Sequence, residues 1–142
     1  MNAVRQRARI VRVRRIQHDL AALASAKASG HVQMLEGNSQ RLQQMRAGLS
    51  SGPGRTSGAA LASRGELAMR LETAREGLGQ TIVGARAAAS LREKARIGAR
   101  RDQESAEKLE QKAASAASRV EDRRSDALFR PRIQKRNDGD QA

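Results

Sequence analysis

The chain has 142 residues, a net charge of +13, one phenylalanine as its sole aromatic residue and no cysteine. A chain so rich in alanine and poor in bulky side chains, with a mean hydropathy of −0.70, cannot fill a thick globular core, because burying alanine removes little apolar area. The absence of cysteine excludes disulfide staples and thiol chemistry and fits a reducing cytoplasm.

Alanine, leucine, arginine, glutamate, glutamine and lysine dominate, and all are good helix formers. The composition therefore points to an all-α protein built around a thin seam between helices. No run of 18 apolar residues suits a membrane span. The basic start is not followed by an apolar stretch of the secretory kind.

The first predicted helix spans about Ala3 to Leu49. Val13, Ile16, Leu20 and Leu23 keep heptad spacing, and Lys27 and Gly30 interrupt it. A second series, Leu35, Leu42, Met45 and Leu49, resumes one position out of phase. That slip implies a local change of supercoil over Ser29 to Gly37. Within the same helix, residues 4 to 16 read VRQRARIVRVRRI, with six arginines and no acid. Arginines set among Val4, Ile10, Val11, Val13 and Ile16 suit a protein interface as well as a phosphate surface.

The stretch GLSSGPGRTSGAA, Gly48 to Ala60, has the look of a phosphate-binding loop. Its spacing argues otherwise. The second glycine of a P-loop would fall on Pro53, which has no N–H, and arginine would stand in place of the lysine. Ser51-Gly52-Pro53-Gly54 reads as a helix stop and a tight corner, with linker over residues 50–62.

The second predicted helix runs from about Ser63 to about Phe129, opened by a Ser63–Glu66 capping box and closed by Pro131. Its heptad positions read Leu67, Leu71, Ala74, Leu78, Thr81, Ala85, Ala88, Arg92, Ala95, Ala99, Asp102, Ala106, Leu109, Ala113, Ala116, Val120, Arg123 and Ala127. Fourteen of these eighteen are apolar, which is coiled-coil behaviour. The tail, residues 130–142, is polar and expected to be disordered. A short corner lays the helices antiparallel, giving one coiled-coil domain over residues 1–142 with the second helix overhanging the first. Whether the hairpin closes on itself or opens into an intermolecular coil is left open by the pattern.

Chemistry is sparse. His18 and His31 have no metal-ligand spacing, and the acids of the second helix sit among basic residues at helical spacing. Neither an enzyme, a metal, a cofactor nor a small-molecule ligand is implied. Nucleic acid is a rival partner on charge alone. However, stacking aromatics, zinc ligands and a helix-turn-helix spacing are missing. A membrane-surface helix over residues 4–23 is disfavoured because its arginines are dispersed around the helix.

Three stretches resemble a known family. RIVRVRRIQHDLAAL (Arg9 to Leu23), EKLEQK (Glu107 to Lys112) and EDRRSDALFR (Glu121 to Arg130) are similar to the opening, middle and closing patterns of the flagellar export protein FliJ family, the type III secretion stalk proteins. The resemblance implies a non-enzymatic role resembling the central stalk of rotary ATPases. It implies three partners: the hexameric flagellar export ATPase, the cytoplasmic ring of the export gate, and export chaperones with their substrates. It places the protein in the cytoplasm, peripheral to the inner membrane through those partners. On this resemblance the contact residues are Arg9, Arg12, Arg15 and Ile16, with Arg123 and Arg124 opposite them at the open end of the hairpin. A basic nucleic-acid-associated coil and a generic scaffold coil are the alternatives.

Overall fold

The computed structural model describes residues 2–50 and 54–129. Two helices make up the fold of the described residues: α1, Asn2–Gly48, of 47 residues, and α2, Gly58–Phe129, of 72 residues. At 1.5 Å per residue they are about 70 Å and about 110 Å long. Cross-helix contacts run in opposite order along the two helices: Arg7 with Leu109, Arg14 with Asp102, Ser25 with Glu93, and Arg46 with Glu72. The pair is an antiparallel helical hairpin.

The corner is closed locally. Leu49 and Ser50 donate their backbone N–H groups back to Arg46 and Ala47, and the Ser50 hydroxyl donates to the same Ala47 carbonyl at 2.7 Å. These bonds satisfy carbonyls that the helix end leaves without partners. Helix α2 starts at Gly58, five residues before the expected Ser63. The cap is Ser57, whose hydroxyl accepts the Ala60 N–H at 3.2 Å. Ser63 and Glu66 instead lie inside the first turns, where Glu66 pairs with Arg70. Residues 51–53 of the expected corner and the tail 130–142 lie outside the described residues.

The core is a thin line. Val11, Leu35, Ile82 and Ala106 are buried, together with the hydroxyl-bearing Ser25. On α1 the line of covered positions runs through Val4, Arg7, Val11, Arg14, His18, Ala21, Ser25, Ala28, Val32, Leu35, Ser39 and Leu42, flanked by the partly covered Ala8, Ala22, Ala24, Glu36 and Gly37. Along that line, alternating steps of three and four hold one heptad phase from end to end. Two expectations are corrected here. There is no slip between Ser29 and Gly37, and α1 is a single helix through both glycines. Val13, Ile16, Leu20 and Leu23 are not the seam; they are 53%, 53%, 63% and 54% exposed. Met45 is exposed as well. The physical reason is that one stiff helix has one line of contact with its partner. Leu35 and Leu42 fix that line near the corner, and its continuation passes through Val11 rather than Val13.

Helix α2 turns six of the eighteen expected seam positions toward α1; Arg92, Ala116, Val120, Arg123 and Ala127 are exposed, as are seven others. Leu71, Leu78, Ala85, Ala99, Ala106 and Ala113 face α1, whereas Leu67, Ala74, Thr81, Ala88, Ala95, Asp102 and Leu109 are exposed. The second line of contact is their next neighbours: Ala68, Arg75, Ile82, Ala89, Arg96, Gln103 and Glu110. Alanine occurs on both lines, so counting apolar residues does not separate them. Long polar side chains lay their aliphatic stems along the alanine groove and keep their heads in water, which lets them occupy seam positions.

Candidate partner-binding faces

The seam divides the hairpin surface into two unlike sides. One side is laced with ion pairs: Arg15–Glu107 at 3.5 Å, Glu36–Arg86 and Arg46–Glu72, with Arg96–Glu93 at 2.6 Å beside them. At the centre of this side the buried Ser25 hydroxyl donates to Glu93 Oε2 at 2.8 Å, and Arg96 Nε donates to the same oxygen at 2.8 Å. The Arg96 hydrogen bond, and then that of Ser25, pull the Glu93 carboxyl from 4.5 down to about 2. The Glu107 carboxyl is lowered too, first by the Gln103 amide and then by Arg15. These acids bind their protons more weakly because hydrogen-bond donors already hold the charged form.

The other side is low in charge and apolar. Heptad phase puts Ile10, Val13, Leu20 and Met34 of α1 on the same side as Leu67, Leu91 and Leu109 of α2, all at least 46% exposed. Between them run the small residues Ala74, Gly77, Gly84, Ala88 and Ala95. A shallow cleft near the N-terminal end of α1 is lined by Gln6, Arg7, Ile10, Asp102, Ser105 and Leu109. Its polar contacts are Arg7 Nη1 donating to the Leu109 carbonyl at 3.3 Å and the Arg14–Asp102 pair at 3.2 Å. Most of this apolar stripe was legible in the sequence, but as seam rather than as exposed face.

The expected contact residues do not gather on one face. Arg9 and Ile16 lie on the outward crest of α1, with Ile16 53% exposed. Arg12 and Arg15 turn toward the ion-paired side, and Arg15 already holds Glu107. Arg123 and Arg124 are exposed but are not level with them. Arg7 stands beside Leu109, so Arg123 lies more than a dozen residues, about 20 Å, further along the axis. Residues 114–129 form an extension of α2, exposed throughout.

His18 occupies a seam position; its Nδ1 meets Asp19, and its buried Nε2 has no hydrogen-bond partner among the described residues. Among those residues no group of His, Cys, Asp or Glu is arranged to hold a metal ion. No described helix is long and apolar enough to cross a membrane.

Fold and surface thus define a class: a long helical hairpin built for contact along its faces. The chain belongs to the flagellar FliJ protein family, whose model matches residues 8–128, and it is accordingly a flagellar export component. Comparisons with curated proteins and with solved structures give no match.

Proposed function

We propose that the chain is a non-enzymatic, stalk-like element of flagellar type III export. It links the hexameric export ATPase to the cytoplasmic ring of the export gate and assists delivery of chaperones and their substrates. It acts at the cytoplasmic side of the inner membrane, held there by these partners. The observation that carries this reading is the family match over 8–128 on a rod whose longer helix projects beyond its partner. The basic segment 4–16 and the extension with Arg123 and Arg124 lie toward the same end of the rod, where they would enter the ATPase ring. The exposed apolar side with Ile10, Val13 and Leu20 would serve gate or chaperone contacts, since desolvated apolar patches rimmed by arginine are what protein interfaces use.

The experiment is the triple variant Arg9→Glu, Arg12→Glu, Arg15→Glu, tested for recovery of the export ATPase and for motility. Loss of both with helicity intact supports the reading. Undiminished ATPase recovery and motility refute it. The net charge of +13 also favours nucleic acid. A salt titration on duplex DNA separates that case, because phosphate contacts weaken steeply between about 50 and about 200 mM salt.

A further inference from the structure

The α2 extension carries a pattern that its own hairpin does not use. Residues 119–126 read Arg-Val-Glu-Asp-Arg-Arg-Ser-Asp, a charge order of plus, neutral, minus, minus, plus, plus, neutral, minus. Reversed end to end with every sign exchanged, the order is unchanged. The centre of this antisymmetry falls between Asp122 and Arg123. Among the described residues none of these charged side chains forms an ion pair.

Size follows the same symmetry. On the N-terminal side of the centre lies Ala113-Ala114-Ser115-Ala116-Ala117, and on the other side stand Leu128 and Phe129, which are 84% and 85% exposed. Inverting the segment about its centre sets the large residues over the small ones.

We infer that the extension is a self-recognition surface, on which a second copy of this chain packs tail to tail and antiparallel about a two-fold axis near Asp122 and Arg123. Two-fold symmetry requires that each contact occur twice, so the surface must be complementary to itself in reverse. This segment meets that requirement. Arg119 of one copy meets Asp126 of the other, and Asp122 meets Arg123. All four lie on one broad helix face, successive members being three, one and three residues apart. Within a single helix that face places Arg119 four residues from Arg123, and Asp122 four from Asp126. Those like charges are offset by opposite ones three residues apart, Arg119 with Asp122 and Arg123 with Asp126. The face is therefore balanced within its own helix, and pairing across the axis adds opposite-charge contacts to it. Beside these residues, Val120 packs on the stem of Arg123, and Phe129 covers the alanines near Ala116.

The overlap of residues 114–129 is about 24 Å long. So short a helix pair falls below the standard size of specific interfaces, and the dimer is weak and transient. A paired extension is closed to any other partner. The pairing rests on the extension alone and not on the reading of the ATPase end.

Sedimentation equilibrium of the full chain, with circular dichroism as the control for folding, tests it. The parent is expected to dimerise. Arg123→Glu places like charges across the axis twice, and should weaken association at least tenfold. Asp122→Arg combined with Arg123→Glu restores the antisymmetry and should restore association. Phe129→Ala should weaken it while leaving helicity unchanged, because Phe129 is exposed in the single hairpin. A parent that stays monomeric at millimolar concentration overturns the inference. So does a charge-swapped double variant that associates no better than Arg123→Glu.

Discussion

Truncating Leu35 should cost far more than truncating Leu20, although the sequence pattern ranks them equally. Leu35 is 7% exposed and Leu20 is 63% exposed. Leu→Ala removes roughly three methylene equivalents at about 0.8 kcal/mol each, so full burial makes Leu35→Ala worth about 2 kcal/mol, the low end for a core leucine. A thin seam bordered by solvent relaxes around the loss, which argues against larger values. Leu20 is a little over a third covered, so the same change should cost under about 1 kcal/mol. For a domain of this size 1 kcal/mol shifts Tm by about 3–5 °C. Leu35→Ala should therefore lower Tm by about 6–10 °C, and Leu20→Ala by no more than about 5 °C. Thermal unfolding followed by circular dichroism at 222 nm reads both. An equal or larger loss for Leu20→Ala would refute the seam described here and restore the one through Val13, Ile16, Leu20 and Leu23.

Gly30 is exposed, and a Cβ built there meets nothing within 4 Å, so Gly30→Ala should raise Tm, by about 0.5–1 kcal/mol in stability. Glu93 is held at about 2 against 4.5 for a free carboxyl. Its stabilising contribution is complete above pH 4.5 and is lost as the pH falls toward 2. Glu93→Gln should flatten that part of the Tm–pH curve, whereas an unchanged curve would remove Ser25, Glu93 and Arg96 from the account. Inserting a few Gly-Ser residues after Gly54 should barely move Tm, because loop-closure cost grows slowly with length.

The fold was legible in the sequence because its signals are long-range and redundant. Heptad spacing in both halves specifies two long helices, and the short Gly-Pro corner between them lays them antiparallel. The contact line was not legible, because it is a difference of one residue. Ala88 and Ala89 are identical neighbours, and at Thr81 and Ile82 the seven-residue count started from Leu67 falls on the threonine although the larger, wholly apolar isoleucine is the one buried. Leu35 and Ile82 are buried along the line that results, and the Glu36–Arg86 pair and the Ser25–Glu93 hydrogen bond beside it join residues 50 and 68 positions apart, which no local pattern shows. The Ser57 cap was hidden by a better-looking capping box at Ser63. Of the contact residues, the sequence shows the arginines as a basic run. It does not show that Arg15 already holds Glu107, or that Arg123 stands well beyond Arg9 along the rod.

The most direct test of the stalk reading is capture of the purified hexameric export ATPase by the full chain, beside duplex DNA titrated across about 50 to 200 mM salt. At physiological salt the ATPase is expected to be recovered and DNA to be released, and Arg9→Glu, Arg12→Glu, Arg15→Glu is expected to abolish ATPase recovery without loss of helicity. DNA that stays bound at physiological salt, with no ATPase recovered, would contradict the stalk reading.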